Sequence, residues 1–151
     1  MKELEINSMK IEDFAIFDFD IPFAKWNIDS LKDNSYVKVH SEIHRVKNRF
    51  IAKNDIVFTL QLECSRCLRH FEKDVAEHID VYFENKRNLS SYDTDYKDID
   101  SAIYEYSGSI IDLTQMVYDT IITSIPMKPL CSPDCKGIKL KDKDIDIKLA
   151  L

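Results

Sequence analysis

The 151-residue chain predicts an α+β fold: an antiparallel meander, partly barrel-like, with one principal helix and a cysteine-bearing loop. Three observations carry that reading. Apolar and polar residues alternate from Tyr36 to Val46 and again from Ile56 to Phe83, which is the two-residue period of half-buried strands. A single later stretch, Leu113 to Ser124, repeats its apolar residues at helical spacing. The four cysteines fall into two pairs, Cys64 with Cys67 between two strand-like segments and Cys131 with Cys135 in a proline-rich loop.

Composition narrows the classes. An apolar content of 44% in a chain of this length supports one sizeable core, so residues 1–151 are expected to form a single domain. Only two glycines occur, and no G-x-G-x-x-G or Walker-type run is present, which excludes nucleotide enzymes built on those loops. The first residues carry acids and lack an apolar h-region, and Asp112, Gln115 and Asp119 interrupt the most apolar stretch before it approaches bilayer length. The expectation is a cytoplasmic protein with no membrane contact. In a reducing compartment four cysteines point to metal or redox chemistry before disulfides.

The elements follow in order. Residues 1–35 are mixed: Ser8 is a candidate cap for a short helix, and Phe17 to Ile21 alternate as a strand with Asp18 and Asp20 outward and solvated. Val37, Val39 and Ile43 then share one face of the next strand, opposite Lys38, His40, Glu42 and His44. His40 and His44 lie four residues apart on an extended chain, too far to grip one metal by themselves. A second segment starts at Arg49, and Asn54-Asp55 is expected to break or turn it before alternation resumes at Ile56. That phase places Cys64 on the side of Leu62. After Cys67, Phe71, Val75, Ile79, Val81 and Phe83 oppose Glu72, Asp74, His78 and Asp80.

Residues 85–107 read as a long acidic surface loop, polar and tyrosine-rich. The helix is expected to start at Asp112 as N-cap, with Gln115 three residues on, and to end before Pro126. Prolines 126, 129 and 133 stiffen the second cysteine loop, lowering the entropy lost when it is fixed. The tail, 138–151, alternates Ile145, Ile147, Leu149 and Leu151 and reads as an edge strand or a mobile end.

Two thiols on a tight turn can face one tetrahedral ion, and two such turns close a site. Cys64, Cys67, Cys131 and Cys135 are therefore candidate ligands of a structural zinc, with reduced thiols or a redox sensor as the alternatives. A thioredoxin-like centre needs its Cys-x-x-Cys at a helix N-terminus, whereas strand signals lie on both sides here. No G-x-S-x-G or H-E-x-x-H occurs, and no enzymatic activity is expected.

Several motifs recur in a specific order: Cys-x-Arg-Cys at a strand end (Cys64 to Cys67), Ile-Asp-Leu entering a helix (Ile111 to Leu113), Ile-Pro-x-x-Pro leaving it (Ile125 to Pro129), and Cys-x-x-x-Cys-Lys-Gly (Cys131 to Gly137). Together, over residues 36–137, they resemble the YceD family, the large ribosomal RNA subunit accumulation proteins. Many relatives add a further Cys-x-x-Cys-Gly, whereas here Gly137 leads into Ile138-Lys139-Leu140 without a thiol, leaving the first two pairs as the candidate ligands. The resemblance implies a factor supporting 23S rRNA accumulation or processing and large-subunit assembly, with ribosomal RNA or a pre-large-subunit particle as partner.

Charge distribution suggests how. Residues 36–70 carry a net +4 in a chain whose total is −6. Lys38, Arg45, Lys47, Arg49, Lys53, Arg66 and Arg69 are the candidate RNA-binding residues. The alternative is a zinc-stabilised adaptor whose acidic segment, Glu72 to Asp112, docks a ribosomal protein or an RNA-processing enzyme without touching RNA.

Overall fold

The computed structural model describes residues 4–86 and 102–138. Five strands form one sheet in the order β2 (Phe14–Pro22), β3 (Tyr36–Val46), β4 (Arg49–Glu63), β5 (His70–Asn85) and β6 (Ala102–Tyr106). The first four pair antiparallel as the meander the alternation predicts. β6 joins parallel to β5, and the sheet does not close into a barrel. A second, two-stranded sheet pairs β1 (Glu5–Asn7) with β7 (Ile110–Asp112), and α1 spans Thr114–Ser124.

β4 is the axis of the molecule. Phe50, Ala52, Asn54, Ile56, Phe58, Leu60, Leu62 and Cys64, every second residue, are all buried. The expected break at Asn54-Asp55 does not occur. Asn54 stays in phase because its Nδ2 donates to Ala52 O (3.1 Å), Ile79 O (3.3 Å) and Met116 Sδ (3.1 Å), so the donor half of its amide finds partners inside the core and need not turn the chain, while its buried Oδ1 has no partner. Met116 thereby marks where α1 lies on the sheet, with Val117, Thr120 and Ile121 buried beside it. The strand is 15 residues long, so at about 3.3 Å per residue its two ends stand about 45 Å apart. This separation decides which side chains can act together.

Three local expectations shift. The helix near Ser8 is a single 3-10 turn, Ser8–Lys10, and Asn7 caps it by accepting from Met9 N at 3.0 Å. At α1 the boundary residue is Leu113, while Asp112, still in β7, accepts from Thr114 N (2.9 Å) and the Thr114 hydroxyl. Gln115 does not reach back to close a capping box but donates to Asp119 at 2.8 Å. Finally, the end of the expected 85–107 loop is strand β6, whose Tyr104 and Tyr106 turn inward against Phe83 (5.9 Å between centroids) and Phe50 (6.1 Å). The middle of that acidic loop and the alternating tail from Asp144 lie outside the described residues.

Leu4, Ile6, Ile111 and Leu113 carry the small sheet into the same core, and Leu113 N donates to Leu4 O at 3.1 Å. The N-terminal segment thus fixes the start of α1, whose C-terminal exit delivers the second cysteine loop. Beyond the start of β3, residues 30–32 cover the flank of β4: Gln61 N donates to Ser30 O (2.8 Å) and Lys32 N to Thr59 O (2.9 Å). The far end of β4, where Cys64 sits, is therefore held on both sides.

Candidate metal centre

The turn between β4 and β5 is built around sulfur. Cys64 N donates to Arg69 O (2.8 Å) and Leu68 N to Cys64 O (2.9 Å), wrapping residues 64–68 into a knuckle. Leu68 closes it in the left-handed region at φ +63°, which disfavours a side chain, and is 54% exposed. The second loop folds in the same manner, with Cys135 N donating to Ser132 O at 3.2 Å.

Hydrogen bonds between the loops hold them in register. Ser65 N donates to Pro129 O (2.7 Å), and Arg66 Nη1 donates to Cys135 O (2.9 Å). Gly137 takes φ +87° as its backbone passes Arg66, a conformation that favours glycine.

The result is a four-sulfur cluster. Cys64 Sγ lies 3.6 Å from Cys135 Sγ and Cys67 Sγ 3.7 Å from Cys131 Sγ, and all four sulfurs fall within 4.8 Å of one another. Both of these contacts bridge the two loops. Four sulfurs bonded at about 2.3 Å to a tetrahedral ion, as zinc binds thiolate, would stand about 3.8 Å apart. The quartet fits that arrangement and can hold a metal ion. All four positions would be filled by protein, which is the donor set of a structural site and leaves none for substrate.

The scaffold prepares the cluster for a cation. The backbone amide of Cys67, with those of Cys131 and Arg66, pulls the Cys64 thiol down to about 5 despite its burial. Cys131 moves the other way: burial, with the thiols of Cys67, Cys135 and Cys64 around it, pushes it up to about 11. The lowered Cys64 thiol offers a thiolate to a cation, and binding of a cation would draw further protons from the cluster.

The seven candidate RNA-binding residues do not form one patch. Arg66 and Arg69 are exposed at the cysteine end, while Arg45, Lys47 and Arg49 lie at the opposite end of β4. Lys38 and Lys53 project from the exposed face of the sheet between them. Arg45 is bound up in structure. Its Nε donates to Glu12 O (3.1 Å), its Nη2 to Ile11 O (2.9 Å) and Ser8 O (3.2 Å), and its guanidinium sits 4.6 Å over the Phe50 ring. Arg49 lies 3.6 Å from the buried carboxylate of Glu84 and over Tyr82. Arg45→Lys, which keeps the charge and loses the fork, is expected to cost about 1.5–3 kcal/mol in urea denaturation. An unchanged midpoint would place Arg45 outside the framework.

One constellation escaped the sequence reading. Register across three hairpins lines up Asp18, His40, Asp55 and His78 in a single row over the exposed face. His40 Nδ1 meets Asp18 Oδ1 at 2.6 Å, His78 Nδ1 meets Asp55 Oδ1 at 2.7 Å, and His78 Nε2 lies 3.2 Å from Asp80. Asp18 is thus exposed yet partnered. The bond to Asp18, aided by the charges of Asp18, Asp55 and Glu42, raises the His40 pKa, and the bond to Asp55, with the charges of Asp55 and Asp80, raises that of His78. A raised folded-state pKa means that these pairs contribute fully below the unfolded histidine value of about 6.5 and are lost as pH rises through the folded values. The unfolding midpoint should therefore fall between pH 6 and 8 by more in the parent than in His40→Asn/His78→Asn. Equal slopes would show that the row does not titrate with folding.

The profile of the YceD family, described as "Large ribosomal RNA subunit accumulation protein YceD", matches residues 52–147. No curated protein and no solved structure matches the chain. Among the described residues no helix is long and apolar enough to cross a membrane. The matched stretch covers well over half of the chain and takes in most of β4, the principal helix and both cysteine loops with all four converging sulfurs, and the chain belongs to the YceD family of large ribosomal RNA subunit accumulation proteins.

Proposed function

We propose that this protein is a non-enzymatic cytoplasmic factor that supports 23S rRNA accumulation or processing during large-subunit assembly, with a structural zinc closing its cysteine end. The carrying observation is the convergence of two cysteine pairs, 64 residues apart between Cys67 and Cys131, into one closed four-sulfur cluster in a chain of this family. A site with no free coordination position supports a clamp that holds shape, and the net +4 of residues 36–70, the block that carries Lys38, Arg45, Lys47, Arg49, Lys53, Arg66 and Arg69, supports rRNA contact by some of them.

A second reading has its own observation. Around Lys38 and Lys53 the exposed sheet face carries Asp18, Asp20, Glu42, Asp55 and Asp80, so it is more acidic than basic and suits an adaptor docking a basic ribosomal protein or an RNA-processing enzyme. Affinity capture of the tagged protein with and without RNase separates the two. Loss of ribosomal material on RNase treatment supports direct rRNA contact, and its persistence supports the adaptor.

A further inference from the structure

We propose that the RNA-contacting surface is the metal end itself: a four-cation cluster of Arg66, Arg69, Lys128 and Lys136, assembled from the two cysteine loops and displayed when they are clamped together. This rests on the rRNA-factor reading and says which part of the molecule touches RNA, adding Lys128 and Lys136 to the candidates.

The backbone ties bring the four together. Lys128 precedes Pro129, whose carbonyl takes the Ser65 amide at 2.7 Å, so its backbone is tied to the segment that carries Arg66. Lys136 sits between Cys135, whose carbonyl accepts from the Arg66 guanidinium at 2.9 Å, and Gly137, whose backbone passes Arg66. Arg69 offers its carbonyl to Cys64 N at 2.8 Å on the other side of the knuckle. All four side chains are exposed. The only acid within residues 64–70 and 126–138 is Asp134, so these loops carry three net positive charges before the sulfurs are counted.

Four thiolates around a divalent ion would contribute −2, but Cys64 is fully buried and the other three are half-buried, whereas the cations reach solvent and meet a phosphate first. Exposed Leu68 and Met127, in the same loops, add apolar surface for an unstacked base. Four of the other five candidates compare poorly. Arg45 and Arg49 are held by carbonyls, Phe50, Glu84 and Tyr82, and Lys38 and Lys53 face carboxylates across the strands.

The test uses metal-loaded, full-length protein and in vitro transcribed 23S rRNA domains as the probe. Filter binding is measured over a salt series for the parent, for Lys128→Gln/Lys136→Gln and for Lys38→Gln/Lys53→Gln, with metal content and unfolding midpoint confirmed equal in all three. None of these lysines is a candidate metal ligand, so a change in binding is not a change in the clamp. The expected result is a loss of about tenfold in affinity and a salt slope shallower by about 2 for the metal-end pair, with the sheet pair unchanged. Equal or greater loss from the sheet pair, or no change from the metal-end pair, overturns the placement while leaving rRNA contact standing. A parent with no salt-dependent retention at any accessible salt overturns the rRNA reading and this inference with it.

Discussion

Cys64→Ser is expected to cost about 4 kcal/mol or more, in the range reserved for loss of a metal or a buried network. Cys64 is the one fully buried member of the quartet, it terminates the buried row of β4, and its sulfur lies 3.6 Å from that of Cys135 in the other loop. A serine hydroxyl is a poor partner for a metal that selects thiolate, and three remaining thiolates around a weakened site would repel one another. Without the ion the proline-rich loop would be tied to the β4–β5 turn chiefly by the Ser65–Pro129 and Arg66–Cys135 bonds, each worth about 1 kcal/mol net. Urea denaturation with and without a chelator checks this. The parent should lose stability on chelation, and the variant should not respond; equal responses in the two would show that the sulfurs hold nothing.

Phe50→Ala is expected to destabilise by about 3–5 kcal/mol at the opposite end of the same strand. Phe50 is 2% exposed, packs tilted against Tyr106 and forms the floor beneath the Arg45 guanidinium. Truncation would open a cavity and also remove the ring that positions Arg45 over the carbonyls of Ser8, Ile11 and Glu12. Double-mutant analysis with Arg45→Lys should accordingly show strong non-additivity. A cost under about 1 kcal/mol for Phe50→Ala would mean that this end of the sheet collapses without penalty.

Much of this architecture is legible in the residues because burial writes the period of a strand into them. β3 spans Tyr36–Val46 as the alternation predicts, and Cys64 falls on the Leu62 side because the phase never slips. Asn54 shows where such reading fails. An asparagine beside an aspartate is ordinary turn chemistry, and only the tertiary placement of Ile79 and Met116 supplies the partners that keep it extended. β6 was hidden for a similar reason: five residues with polar neighbours carry little periodicity, and its parallel pairing with β5 is a matter of topology.

At the candidate site the balance is different. The four cysteines could be nominated from spacing alone, but their meeting depends on α1 ending where its exit loop returns to the β4–β5 turn. The basic residues could be counted but not sorted, since the difference between Arg45, whose guanidinium donates to three carbonyls and lies over Phe50, and Arg66, which donates to one, lies in contacts far apart in the chain. The histidine row was invisible because each of its pairs depends on strand register. One of those registers is set by the connection through Lys47, which adopts φ +57° to make the turn from β3 to β4.

Metal content per chain, measured on protein purified under reducing conditions with Cys131→Ser alongside, tests the central claim most directly. About one zinc per parent chain, lost in the variant, is the predicted result. Clean, folded, reduced parent protein that carries no metal and takes up none would contradict it.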